Sequence, residues 1–168
     1  MENNEGKLSD NYFMGLAIQR ARKAALRGDV PVGAIVVIDG NIYSEGGNER
    51  EALQDPTAHA EVVALRHAAE TLQSWRLENA TVYVTAEPCL LCTGAIYLAR
   101  IQRVVFGCPN PKGGALRFVS VNEQHLNLNH RVEITGGVRE LECAQLLRTF
   151  FVERRDKTGR DGRVVEGA

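Results

Sequence analysis

Two short stretches hold the residues most suited to chemistry in this 168-residue chain. His59-Ala60-Glu61 sets an imidazole and a carboxylate two positions apart, and Pro88-Cys89-Leu90-Leu91-Cys92 follows about thirty positions later. Taken as zinc ligands, His59, Cys89 and Cys92 leave one coordination position open, which a structural site would close with a fourth protein ligand. Three ligands beside a carboxylate that is not one therefore point to a metal that activates water, with Glu61 carrying protons. One zinc ion per chain is expected. Each piece alone has a plainer reading. A single histidine can be a satisfied helix-terminal residue, and a lone C-x-x-C can be redox-active or half of a zinc finger. The combined spacing is what favours the metal.

The spacing also dictates geometry. Cys89 and Cys92 stand three apart at a predicted helix start, so both thiols lie on one face, where the first-turn amides and the helix dipole favour thiolates. His59 is expected in the first turn of its own helix. Residues two apart diverge around a helix, so His59 and Glu61 meet one ion only if it lies near the helix end. Two helix N-termini facing a single metal is the arrangement required.

The elements that must supply those termini are legible from periodicity. Ser9 can cap a helix running to about Arg27, with Phe13, Leu16, Ala17, Ala21 and Ala24 on one stripe and Gly28 ending it. Gly33 to Ile38 is an aliphatic run, Asp39-Gly40 a turn and Asn41 to Gly46 a return strand, together a hairpin. Gly47 to Pro56 reads as loop. A helix follows from near Thr57, a strand from Ala80 to Thr85, and a helix from Pro88 to Arg100. Arg103 to Gly107 is a strand, Pro109 to Gly114 a loop, Arg131 to Thr135 a strand and Glu140 to Arg155 a last helix. Alternating strands and helices after a hairpin predict a three-layer α/β/α sandwich with a mixed sheet of about five strands. One domain over residues 9–155 is expected, with flexible ends at 1–8 and 156–168.

Composition sets outer bounds. Hydrophobic and charged residues make up 44% and 24% of the chain, as in ordinary soluble proteins. No apolar run approaches membrane-spanning length, and the acidic start Met1-Glu2-Asn3-Asn4-Glu5 is unlike a secretory signal, so a cytoplasmic location is expected. The net charge of −1 gives no general attraction to nucleic acid, leaving any such binding to a local basic patch. Cys108, at a strand end, can be a small buried hydrophobe or a fourth ligand, and Cys143 falls among core positions of the last helix. His67 is read as a surface residue.

H-x-E followed by P-C-x-x-C is the signature of zinc-dependent nucleobase deaminases. Beyond it, from about Asn11 to Arg155, the chain resembles the bacterial tRNA adenosine deaminases, with a cytidine deaminase-like fold. The resemblance rests on Asp29-Val30-Pro31-Val32-Gly33-Ala34, Asp55-Pro56-Thr57-Ala58-His59-Ala60-Glu61, Ala80-Thr81-Val82-Tyr83-Val84-Thr85 and Arg103-Val104-Val105-Phe106-Gly107. It continues through Asn129-His130-Arg131-Val132-Glu133-Ile134 and the Phe150-Phe151 pair with Arg154-Arg155.

This resemblance implies conversion of adenosine to inosine at wobble position 34 of tRNA, a homodimer, and recognition of the anticodon loop. It implies that Asn48 hydrogen-bonds a flipped-out base while Val30, Ala60 and Ala86 line the pocket; a turn residue after Gly46-Gly47 is the plainer alternative for Asn48. Candidate RNA contacts are Lys112, Phe151, Arg154 and Arg155, with Arg148, Lys157, Arg160 and Arg163 nearby. A merely solvated face, laced by Glu153, Asp156 and Asp161, remains open, as does a core role for Phe150-Phe151. Ala95-Ile96-Tyr97-Leu98 is read either as interface or as core.

Two departures stand out. Ala86 replaces a large aliphatic residue, and Gly114-Ala115-Leu116-Arg117-Phe118-Val119 replaces a more flexible glycine- and serine-bearing loop. Both bear on the substrate mouth and leave deamination of a free nucleobase or nucleoside as the alternative. A non-catalytic zinc or RNA-binding protein is a third reading, and a positioned Glu61 argues against it.

Overall fold

A computed structural model describes residues 4–158. The elements are α1 (Asn4–Leu26), β1 (Gly33–Ile38), β2 (Asn41–Gly47), α2 (Arg50–Leu53), α3 (Ala60–Leu72), β3 (Ala80–Ala86), α4 (Leu90–Leu98), β4 (Arg103–Cys108), α5 (Leu116–Val121), β5 (Glu133–Thr135) and α6 (Glu140–Thr158). The strands form one sheet in the order β2-β1-β3-β4-β5. β1 runs antiparallel to β2 and β3, while β3, β4 and β5 are parallel, so the sheet is mixed.

The strand period of two sorts the core into two layers. Ala34, Val36, Val82, Val84, Val104 and Phe106 face a cluster built on Ala60, Ala64, Leu65 and Ala68 of α3, Ile96 and Tyr97 of α4, and Leu116 and Val119 of α5. Ile35, Val37, Tyr83 and Val105 face the other way, against Phe13, Met14, Ala17 and Ile18 of α1 and Cys143 of α6. The result is the expected α/β/α sandwich. The chain turns between β1 and β2 through Asp39 and Gly40, both at positive φ, which suits the twist of a two-residue hairpin. A Cβ at Gly46 would sit 2.5 Å from the carbonyl oxygen of Ala60, so glycine there lets the start of α3 lie directly on β2.

Several boundaries differ from the sequence reading. α1 extends back to Asn4, ahead of Ser9, and α6 runs on to Thr158. Met1 to Asn3 and residues 159–168, including Arg160, Asp161 and Arg163, lie outside the described residues. The stretch read as loop contains α2, a single turn whose Glu51 and Ala52 amides bond the buried Asp29 carboxylate at 2.7 and 3.3 Å. That cap comes from a distant segment, and no local signal announces it. Residues 114–119, also read as loop, include the start of α5, nucleated by the buried Leu116 and Val119 three positions apart. No helix among the described residues is long and apolar enough to cross a membrane.

Candidate metal centre and substrate pocket

Both ligand-bearing segments arrive at helix N-termini from extended backbone. His59 is not in the first turn of α3, as the sequence suggested, but is its N-cap, at φ −69° and ψ 152°. The approach is fixed by Asp55, whose Oδ1 accepts from the Thr57 amide at 2.8 Å and its hydroxyl at 2.7 Å. Cys89 is likewise the N-cap of α4, at φ −72° and ψ −180°. Pro88 precedes the cap, and Ala115 N donates to Pro88 O at 2.9 Å while Cys89 pairs with Gly114. Cap positions project side chains beyond the helix end, so His59, Cys89 and the first-turn Cys92 converge where two sets of unpaired helix amides point.

The ligand atoms of His59, Cys89 and Cys92 all lie within 4.8 Å of one another, the one such group of histidine, cysteine and acidic side chains among the described residues. Cys89 Sγ stands 3.5 Å from His59 Nδ1, so Nδ1 is the ring nitrogen turned to the cluster. Ligands at zinc–sulfur and zinc–nitrogen distances of about 2.3 and 2.0–2.1 Å in a tetrahedron sit roughly 3.5 Å apart, so the pair fits that ion. The donor chemistry agrees. The hydrogen bond from Cys92, then the one with His59, brings the Cys89 thiol down to about 4, although burial opposes it. Cys92 is pushed up, first by its bond to Cys89 and then by burial. The protein alone accommodates one thiolate, and ionising the second beside it calls for a cation.

Glu61, in the first turn of α3, is buried against this cluster. Burial raises its pKa above the usual glutamate range, while its own backbone amide and Cys92 pull the other way. A small cavity of about 60 Å³ opens beside it, lined by Val30, Val32, Asn48, Arg50, His59, Ala60, Glu61, Ala86, Glu87, Cys89 and Asn110. Val30, Asn48, Ala60 and Ala86, the expected pocket residues, thus line one cavity. Asn48 is buried and its Oδ1 has no hydrogen-bond partner, so the plain turn reading leaves a costly orphan acceptor unexplained. Two larger clefts, of 580 and 440 Å³, share Asn129, His130 and Arg131 and contain neither Glu61 nor any of the three ligands.

Four lining residues escaped the sequence reading as site residues: Val32, Arg50, Glu87 and Asn110. Glu87 adjoins the metal motif, which was a signal of a kind. Its buried carboxylate is held by Arg117 through Nε at 3.0 Å, Nη2 at 3.0 Å and the backbone amide at 3.1 Å. The altered segment at 116–118 therefore stiffens the pocket wall with a two-pronged ion pair, and Arg117 also lies over the Phe106 ring at 5.6 Å.

Other expectations resolve locally. Cys108 and Cys143 are buried among apolar side chains, and Cys108 stands apart from the ligand cluster. His67 is exposed. Ile96 and Tyr97 are core, whereas Leu98 is exposed. Lys112, Arg154 and Arg155 are exposed, and Phe150 and Phe151 are half-buried with rings 5.5 Å apart edge-to-face. Arg154 lies over Phe150 at 5.5 Å and reaches Glu51 of α2 at 3.9 Å, so the end of α6 adjoins the helix that carries Arg50.

Known proteins share this architecture. Residues 7–108 match the family model for the cytidine and deoxycytidylate deaminase zinc-binding region. A tRNA-specific adenosine deaminase from Bacillus subtilis is 45% identical over 148 residues, covering 88% of this chain and 92% of the relative. One from Haemophilus influenzae is 46% identical over 151 residues, covering 88% and 86%. A solved tRNA:A34 deaminase, described for A-to-I editing at the wobble position of transfer RNA, superposes with a TM-score of 0.77 at 41% identity, covering 81% of this chain and 99% of that one. A guanine deaminase from Bacillus subtilis gives a TM-score of 0.57 at 33% identity, covering 70% and 69%.

Proposed function

The chain belongs to the tRNA-specific adenosine deaminase family, and from that premise we propose that it hydrolyses adenosine to inosine at wobble position 34 of tRNA. The observation that carries the reading is a three-ligand cluster, two of whose members, His59 and Cys89, line one cavity with a buried carboxylate and an unpartnered amide oxygen. Residues 9–155 form the deaminase domain in this reading.

His59, Cys89 and Cys92 would hold zinc, which when bound would supply a water acidified to about pKa 7. Glu61 takes one proton from the attacking water and hands it to the purine ring nitrogen, then takes the second from the C6 hydroxyl and hands it to the departing amine. The carbon–oxygen bond forms at C6 with the first transfer, and the carbon–nitrogen bond breaks with the second, leaving a carbonyl at C6 and free ammonia. A raised pKa suits a group that must both accept and return a proton near neutral pH. Asn48 Oδ1 accepts from the exocyclic amine of the base. Val30, Ala60 and Ala86 close the apolar walls and limit water beside the reacting carbon.

The substrate-facing surface extends from the pocket to Lys112, Phe151, Arg154 and Arg155, which meet the anticodon loop. The protein acts as a cytoplasmic homodimer. Support for the dimer is the exposed apolar series Leu90, Leu91 and Leu98 on α4 with Phe118 and Val121 on α5, more than a solitary surface ordinarily leaves to water. The test is incubation of purified, zinc-loaded protein with tRNA bearing A34, and separately with free guanine, cytosine and adenine. Inosine at position 34 is expected, with little ammonia from the free bases. Reaction of free bases alone would replace this reading with that of a nucleobase deaminase.

A further inference from the structure

Three charged side chains other than the metal ligands line the cavity: Glu61, Glu87 and Arg50. Two are accounted for. Glu61 is buried against the cluster, and Glu87 is neutralised by Arg117. Arg50, half-buried at the rim, has no acidic partner within 4.0 Å among the described residues. Its backbone is firmly held. Asn48 N donates to Val32 O at 3.1 Å and Glu49 N to Ala58 O at 2.9 Å, while the Glu51 and Ala52 amides bond Asp29. Asp29 is itself 1% exposed, so a buried carboxylate anchors the one-turn helix that presents Arg50. A guanidinium so presented, uncompensated and beside an unpartnered Asn48, wants an anion that arrives with the base.

Resting on the adenosine deaminase reading above, we infer that Arg50 binds the phosphodiester flanking the target adenosine, so that the pocket selects a nucleotide within an RNA strand over a free nucleoside or base. The guanidinium fork matches two phosphate oxygens, and the contact fixes the register of the strand while Asn48 reads the base. Free nucleosides carry no anion for it. Their binding forfeits this contact.

The test uses zinc-loaded, full-length protein and an anticodon stem-loop RNA bearing A34. Arg50→Gln is expected to raise KM about tenfold, with kcat within about threefold of wild type, as loss of one charge-assisted contact predicts. The slope of log(kcat/KM) against log[salt] should flatten by about 0.7, the share of one single-strand phosphate. Arg50→Lys should keep the salt slope and recover part of the KM. Arg76→Ala, outside the pocket on an exposed loop, should change neither. A second arm leaves the protein untouched: replacing the linkages next to A34 by neutral methylphosphonates should raise the wild-type KM by a similar factor and add little to Arg50→Gln. Neutral linkages that cost wild type nothing, or an Arg50→Gln enzyme with unaltered KM and salt slope, would overturn the inference alone. A wild-type enzyme that makes no inosine in the RNA would overturn the substrate reading and this inference with it.

Discussion

Two clusters of ionisable side chains among the described residues are finished differently. One joins α1 to the sheet: Arg103 Nη1 and Nη2 donate to the two Asp10 oxygens at 2.9 and 2.8 Å, Tyr83 OH donates to Asp10 at 2.8 Å, and Arg103 Nη2 also reaches Thr135 Oγ1 at 2.9 Å. Charges balance and the carboxylate is fully engaged. The other lies past the far end of β3, where Cys89 and Cys92 stand close together, Glu61 is buried with no side-chain ion pair, and Asn48 Oδ1 has no partner. Buried polar groups that close on one another hold a fold together, whereas those left open are held ready for something that comes from outside. The first cluster predicts stability effects without chemistry. The second predicts the reverse.

The sharpest way to break that contrast is to remove a ligand. Cys89→Ser or Cys92→Ser should take zinc from about one ion per chain to near zero and abolish turnover, as metal analysis on gel-filtered protein will read. Next is Asn48→Ala, expected to lower kcat/KM about 10- to 100-fold, equivalent to about 1–3 kcal/mol of lost transition-state binding, with zinc content and melting temperature near wild type. An Asn48→Ala enzyme that melts early but turns over normally would move Asn48 to the structural class.

Asp10→Asn should act in the opposite sense, destabilising by about 1–3 kcal/mol in denaturant titration while leaving kcat per folded molecule unchanged. It also has a pH signature. Burial pushes the Asp10 carboxyl up, but hydrogen bonds from Arg103 and Tyr83 outweigh it and hold the group below 3.8. A carboxyl depressed on folding stabilises fully above its unfolded value and loses that contribution as pH falls through the lower folded one. Wild type should therefore lose stability below about pH 4, and Asp10→Asn should lack that part of the drop. Smallest is Arg117→Ala, expected to cost about 1 kcal/mol because Arg117 is largely exposed and its pairing with Glu87 is screened by solvent.

How legible these regions were in the sequence follows from what each depends on. The metal ligands and Glu61 were readable because their spacing is local and helix termini impose one geometry on it. The hairpin followed from an aliphatic run and its Asp39-Gly40 turn, and the three-layer sandwich with a mixed sheet from the alternation of strands and helices. α2 and α5 did not, since each is short and owes its place to a remote partner: Asp29 caps the former, and the latter packs Leu116 into the core while Arg117 grips Glu87. His59 fell one position outside its predicted helix because the Asp55–Thr57 turn, rather than the helix pattern, sets its backbone. Arg50 sat unseen in a polar stretch. Only the fold reveals that its charge faces the cavity uncompensated.

Turnover per bound zinc, measured on matched preparations of Glu61→Gln and Asp10→Asn with A34 tRNA, tests the contrast most directly. Glu61→Gln should retain its zinc and fall about 10²- to 10⁴-fold in turnover, while Asp10→Asn matches wild type per zinc despite its lower stability. A Glu61→Gln enzyme that still turns over at the wild-type rate with zinc in place would contradict the account.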